Sequence, residues 1–339
     1  MATFLKLPLF VLIILILLRR IAAAPLPVPA QVAQLLPSLS ASDVEALESA
    51  VASQALLEDD SVAARLCEAG GLVCGLGPEI DTMAHTLSDW AWSDDEWETN
   101  DQRALNHAQS ADPRAPYHFF LSEAMPASGS SWPAFLFNHE LAITAGRFLP
   151  RRLARALLAL PGPLFLLAFR IPGSADWAPA VSFTAHKCSH FTGDLAIENR
   201  TCASSIDDVS DFVAAQLGST DGVDTVMSDE ADVSDGDFVV EGPPKELSEH
   251  HVLCHRMGDA PFQILACHVV GHTRMFSLQL RSTSNASLLI TNLVACHMET
   301  STFIPDHIAF KLLHVTPGGP GICHWTIPGS FGYFKKTKT

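Results

Sequence analysis

Four Cys-His dipeptides, Cys254-His255, Cys267-His268, Cys296-His297 and Cys323-His324, use half of the eight cysteines in this 339-residue chain. A random sequence of similar composition would hold fewer than about one. The doublets lie in or beside apolar runs such as FQILACHVV and ASLLITNLVACH, which are rich in Val, Ile, Leu and Phe and separated by Gly, Pro or polar clusters. That is the pattern of β-strands. Neighbouring side chains on a strand point to opposite faces. Each doublet therefore offers a thiol to one face and an imidazole to the other, so a disulfide can staple one side while the histidine stays free on the other.

The fate of the thiols depends on the compartment. Leu7 to Leu18 (LPLFVLIILILL) form a twelve-residue apolar run after a segment whose one charge is Lys6, and Ala22, Ala23 and Ala24 follow. The run is shorter than a membrane-spanning helix needs and has the layout of a secretory signal peptide. Residues 1–24 are expected to be removed, with cleavage as late as Ala30 an alternative because Pro25 follows Ala24. Cysteines of an exported chain meet oxidising surroundings, where an even count suits full pairing. A zinc finger is excluded, since the eleven residues between His255 and Cys267 do not give a close Cys pair. Two readings of the doublets stay open. Their histidines either fill hydrogen-bonding positions beside disulfides, or present imidazoles to a metal, for which an all-nitrogen site favours copper.

Net charge is −16, from 37 acidic and 21 basic residues. No basic stripe appears apart from Lys335, Lys336 and Lys338, so nucleic acid and other polyanions are not expected as partners. Once the signal is cleaved, no membrane association is expected either. The sequence has no Gly-x-Ser-x-Gly elbow, phosphate-cradling glycine loop or HExxH pair. Glu140, His139 and Asp306-His307 are isolated, so no catalytic acid, base or nucleophile is assigned. DVSDGD (232–237) is not a calcium loop, because the register around Gly236 puts Ala231 where the first aspartate should stand. Asn199-Arg200-Thr201 and Asn285-Ala286-Ser287 are glycosylation sequons.

Residues 25–76 read as a short helical segment, with Ser42 and Glu45 spaced as a capping box and Cys67 and Cys74 flanking Gly70-Gly71 as a small closed loop. Residues 77–115 are an acidic, turn-rich linker carrying Trp90, Trp92 and Trp97. A globular region starts near Tyr117. Strand-like runs are YHFFLS, PAFLFNH, PLFLLAFRI and PAVSFTAH before residue 187, then FQILACHVV, RMFSLQL, ASLLITNLVACH and HIAFKLLHV after His250. Helices are expected at 151–160 and from a Ser205/Asp208 cap to Gly218, with an acidic loop over 219–249. Cys188 and Cys202 complete the cysteine set. The expected fold is α+β and β-rich, with antiparallel strands framed by disulfides and a few helices.

The doublets, spaced CH-x₁₁-CH-x₂₇-CH-x₂₅-CH, resemble the signature of the BURP domain of plant proteins, CH-x₁₀-CH followed by intervals of similar length. VACHMETSTFIPDHIAFKLLHVTPGGPGICH (294–324) resembles the family's CH-x-x-T-S segment, its H-x-A-F element and its Pro-Gly turn. YHFFLSEAM (117–125), RFLPRRLA (147–154) and TCASSIDDVSDFVAAQLG (201–218) resemble its opening and two of its helices. The resemblance covers residues 117–335. Tyr333 and Phe303 stand where the family commonly has Trp, and the first interval is one residue longer than usual. A bulge or the Gly258-Asp259 turn could absorb it; otherwise one histidine changes face. The N-terminal half lacks the repeats of the better known subgroups.

The resemblance implies a disulfide-framed protein of the plant cell wall or secretory pathway, linked to development or stress, whose partner is a wall protein or polysaccharide. A non-enzymatic role is expected, because no peptide with Gln followed by Trp or Tyr, of the kind the family's cyclase substrates carry, repeats in this chain. The enzymatic alternative the resemblance raises is a copper-dependent cyclase that oxidatively cross-links aromatic residues of a peptide, in trans or in the chain's own tryptophan-bearing linker. Carried over residue by residue, it makes His255, His268, His297 and His324 candidate metal ligands. Cys254, Cys267, Cys296 and Cys323 become candidate disulfide partners.

Overall fold

The computed structural model describes residues 39–53, 60–72, 115–137, 147–171, 192–194, 198–231, 236–256, 260–303 and 305–335, with Leu26, Leu36, Cys74, Cys188 and Val233. The expected leader, the expected tryptophan-bearing linker and the PAVSFTAH run lie outside the described residues. Helix α1 (Ala41–Ala52) starts at a capping box formed by Ser40 and Asp43, two residues upstream of the expected pair. Helix α2 (Asp60–Gly70) follows, and a Cys67–Cys74 disulfide closes the small loop at its end, as expected.

A short helix α3 (Ala115–His118) runs into β1 (Phe119–Leu121), then come β2 (Ser131–Pro133), α4 (Arg151–Leu158) and α5 (Gly162–Ala168). Next are β3 (Thr192–Asp194), β4 (Glu198–Ala203) and α6 (Ile206–Leu217). Ser205 caps α6 by accepting from the Asp208 N–H, and Gly218 ends it in the left-handed conformation, φ 79°, as the sequence predicts. The C-terminal half holds β5 (Val223–Met227), β6 (Asp237–Ser248), β7 (His251–Arg256), β8 (Leu265–Val270), β9 (Thr273–Ser282) and β10 (Leu289–His297). Helix α7 (Ile308–Leu313), β11 (Ile322–Trp325) and β12 (Phe331–Lys335) complete it.

Four expectations are corrected. PLFLLAFRI and HIAFKLLHV are helical (α5 and α7) rather than strands. Continuous apolar runs carry no period, and these two end on non-glycine left-handed residues, Arg170 (φ 53°) and His314 (φ 55°), so no glycine marks the stop. PAFLFNH forms a single 3-10 turn at Ala134–Leu136 instead of a strand. The presumed loop 219–249 contains β5 and the twelve-residue β6. Pro243 and Pro244 disguise β6: they sit where its pairing to β9 shifts register between Glu241 and Lys245, towards the sheet edge, where proline is tolerated.

The strands form two six-stranded antiparallel sheets, ordered β1-β11-β10-β9-β6-β2 and β3-β4-β8-β7-β12-β5. They face each other across Leu253 of the second sheet and Met275, Leu293 and Ala295 of the first. The opposite face of the second sheet buries Val252, Cys254, Cys267, Phe331 and Tyr333 beneath Val209 and Val213 of α6. The opposite face of the first buries Cys296, Cys323 and Trp325 among Phe120, Phe137 and Phe238. These arrangements give the α+β, β-rich fold expected.

The N-terminal helices are part of this body. Leu47, Val51 and Leu66 share one apolar cluster with Leu153 and Leu157 of α4, Phe165 of α5, and Phe262. Arg152 also reaches Glu48 at 3.5 Å. Leu66 is fully buried, so Leu66→Ala should cost about 2–5 kcal/mol and lower the melting temperature of the whole protein in one transition. Calorimetry showing an unchanged transition for the sheets would mean that the helices fold separately.

Candidate functional site

The doublets are arranged twice in the same way. Cys254 stands directly opposite Cys267 across β7 and β8, and Cys296 directly opposite Cys323 across β10 and β11. Both pairs are disulfides, with Cα separations of 4.0 and 3.9 Å. Cys188–Cys202 is the fourth bridge, and no cysteine is free. The extra residue in the first interval leaves both strands in regular register, so it is absorbed in the connection between Arg256 and Leu265. Part of that connection, including Gly258-Asp259, lies outside the described residues.

Alternation places each histidine on the other face. His268 stands directly opposite Leu253, and His324 directly opposite Ala295, so all four imidazoles lie on the faces that the sheets turn towards each other. Within each doublet pair the histidines are diagonal neighbours. The Nε2 atoms of His255 and His268 are 3.1 Å apart, and those of His297 and His324 3.3 Å apart. The structure thus divides the four candidate ligands into two pairs. Among the described residues no group of three or more His, Cys, Asp or Glu side chains is placed to hold one metal ion.

Each Nδ1 has its own partner, which aims the Nε2 edge inward. In the first pair His268 Nδ1 meets Glu198 Oε1 at 2.8 Å, and His255 Nδ1 meets Ser330 Oγ at 3.0 Å. The Ser330 hydroxyl hydrogen is given to the Ile327 carbonyl at 2.7 Å, so Ser330 accepts from His255. Both Nδ1 atoms then carry hydrogen. In neutral rings both Nε2 atoms then turn lone pairs towards each other, an arrangement that a shared proton or a metal ion between them would stabilise.

The second pair differs. His324 Nδ1 donates to the Trp325 carbonyl at 3.0 Å, leaving a lone pair on its Nε2. The partner of His297 Nδ1 is the Thr273 hydroxyl at 3.0 Å, which can donate. His297 Nε2–H can then donate to His324 Nε2, and both rings are satisfied while neutral. Phe303 meets His297 edge-on at 5.3 Å between ring centroids, so an aromatic still lines this pair where the family commonly has Trp. Tyr333 is fully buried on the disulfide face instead, and burial keeps its phenol protonated. His307 caps α7 by accepting the Ala309 N–H, a structural task.

Glu198, Ser330 and Thr273 were not foreseen. Glu198 lies on β4 and meets His268 only through the β4–β8 register, and no local motif marks any of the three.

Two stacked antiparallel sheets with duplicated Cys-His strand pairs define a disulfide-stapled α+β domain with paired imidazoles. The BURP domain model matches residues 118–335, and the chain belongs to the BURP domain family. Protein RAFTIN 1B of Triticum aestivum is 28% identical over 235 residues, covering 63% of this chain and 63% of that protein. BURP domain-containing protein 17 of Oryza sativa subsp. japonica is 28% identical over 220 residues, covering 62% of this chain and 37% of the relative. BURP domain-containing protein 9 of the same species is 31% identical over 177 residues, 49% of this chain and 32% of its own length. The chain spans less than two thirds of the length of each.

His251, on the same face of β7, is buried, and its Nδ1 donates to the Ser248 carbonyl at 3.1 Å. Burial pushes its imidazole down to about 4. The unfolded chain takes up this proton near the ordinary value of 6.5 and the folded chain only near 4, so protonation favours unfolding in between. Stability from this group is full above 6.5 and falls as pH drops, by roughly 3 kcal/mol at pH 4. Denaturant titrations should show a shallower acid loss in His251→Gln than in the wild type.

Proposed function

We propose that this chain is an exported plant protein of the cell wall or secretory pathway, serving development or stress response as a disulfide-framed binding scaffold rather than a catalyst. The observation that carries this reading is the commitment of all eight cysteines to four disulfides, a state that persists in oxidising compartments. The apolar run Leu7–Leu18 supports export, and among the described residues no helix is long and apolar enough to cross a membrane. The partner fitting this surface is a wall protein or a polysaccharide of low charge, since a net charge of −16 repels polyanions. In plant cells, a fluorescent fusion at the C-terminus is expected in the wall space, and in the cytosol when residues 1–24 are deleted. Cytosolic wild-type fusion with reduced cysteines would overturn the proposal.

A second reading, a copper-dependent peptide cyclase, is favoured by one observation, the convergent Nε2 atoms. At separations of 3.1 and 3.3 Å the two imidazoles of each pair are close enough that both would contact one ion, and imidazole suits copper. His255 with His268, and His297 with His324, would hold it. Copper, when bound, supplies one-electron chemistry with dioxygen. The protein's own part is to fix the tautomers through Glu198, Ser330, Thr273 and the Trp325 carbonyl.

A carboxylate backs the first pair, whereas a hydroxyl and a carbonyl back the second, so copper is expected at His255/His268 first. His268→Ala should abolish the tighter binding step in calorimetric titration, while His297→Ala leaves it in place. Less than about 0.2 equivalents bound by the wild type after loading would remove the ligand assignment. After incubation with copper and oxygen, the mass of the 77–115 fragment is expected to stay unchanged; loss of two hydrogens there would favour the cyclase.

A further inference from the structure

The two sequons have opposite surroundings. Asn199 lies inside β4, paired on both sides, opposite Asp194 of β3 and Val269 of β8. Its Nδ2, the atom a glycan would occupy, donates to Gln216 Oε1 at 3.2 Å. Gln216 belongs to α6, whose Val209 and Val213 are fully buried against this sheet. A sugar on Asn199 would take one of the two Nδ2 hydrogens and place its bulk at the contact between β4 and Gln216 of α6.

Asn285 stands at the tip of the β9–β10 hairpin. The Ser282 N–H donates to the Leu288 carbonyl at 3.1 Å and closes the loop, and Thr283 to Ser287 are all exposed. Asn285 Oδ1 accepts from the Ser287 N–H at 3.2 Å and from the Ser287 hydroxyl at 2.7 Å. The side-chain oxygen is thereby tied to the loop, which leaves the Nδ2 edge towards solvent. Leu289, 42% exposed, is the first residue of the strand that follows. Along β10 the tip is roughly 27 Å from His297, so a group attached there stays clear of the imidazole pairs.

We propose that Asn285 is an N-glycosylation site of this protein and that Asn199 stays unmodified in the folded chain. The donor is a lipid-diphosphate-linked oligosaccharide. A bond forms between Asn285 Nδ2 and the anomeric carbon, the bond from that carbon to the diphosphate oxygen breaks, and the lipid diphosphate leaves with the electron pair. Nδ2 gives up one proton to a base of the transferring enzyme. The glycan covers the apolar edge at Leu289 and keeps this hairpin tip from associating with other chains.

The assignment rests on the export proposed above, and the experiment separates the two. The full chain is expressed in plant cells behind its own leader and, in parallel, behind a leader of established export. Secreted protein is treated with peptide N-glycosidase in ¹⁸O-water and mapped by mass. Labelled Asp is expected at position 285 and unlabelled Asn at 199; Asn285→Gln should abolish the gel shift and Asn199→Gln leave it unchanged. Label at 199 in protein with all four disulfides, or none at 285 with either leader, overturns the proposal. Glycosylation at 285 seen only with the borrowed leader would overturn export by the chain's own leader and leave the site standing.

Discussion

Side-chain alternation on paired antiparallel strands, locked by a disulfide, is the constraint on which the rest of this structure depends. A slip of one residue in β7 against β8 would turn the side chains of the slipped strand to the opposite faces, sending its imidazole under α6 and its sulfur between the sheets. The bridge between directly opposite cysteines forbids that slip and restricts the unfolded chain, with a contribution of about 3 kcal/mol for a loop of this length. The same device acts across β10 and β11. Each staple lies in its own apolar cluster, one under α6 and one among the aromatic rings around Trp325. What the staples release on the opposite faces is a pair of imidazoles each.

Those opposite faces are where the sheets meet, and their packing explains why the histidines are so little exposed. Gly332 shows how close the approach is: a Cβ there would lie 2.7 Å from Met275 Sδ and 3.4 Å from Val226 Cγ1. A side chain at this position would have to displace the Met275 thioether from its place between the sheets. The N-terminal helices support the assembly from another side, with Leu47, Val51 and Leu66 completing a cluster that includes Phe262, Ile264 and Ala266. Ala266 stands directly opposite His255, so the connection that absorbs the extra residue is held by this cluster close to the first pair.

Much of the strand framework was legible because the doublets sat in apolar text of β character, and alternation then fixed which side chain went where. The helix α6 was readable from its cap and its glycine stop. Helices α5 and α7 were not, because Leu- and Phe-rich runs ending on Arg170 and His314 look like buried strands. Strand β6 was hidden by the two prolines at its bulge. For the site, the sequence named the four histidines and their separation from the cysteines. It could not show their division into two pairs, which needs the order of the strands in two separate sheets. Glu198 could not be found at all, since only the β4–β8 register brings it to His268.

That carboxylate makes the two pairs unequal. A cation held between buried rings loses most of its hydration, and the loss is offset only by nearby negative charge or well-placed lone pairs. At the first pair Glu198, itself 11% exposed, lies 2.8 Å from His268 Nδ1 and supplies that charge through the ring. At the second pair Nδ1 bonds to a hydroxyl and a carbonyl, which orient the rings without compensating a charge. Identical backbone geometry with different Nδ1 partners therefore sets a carboxylate behind one pair and a hydroxyl and a carbonyl behind the other. The duplication of the Cys-His device belongs to the framework, whereas its chemistry is set separately at each copy by residues outside the doublets.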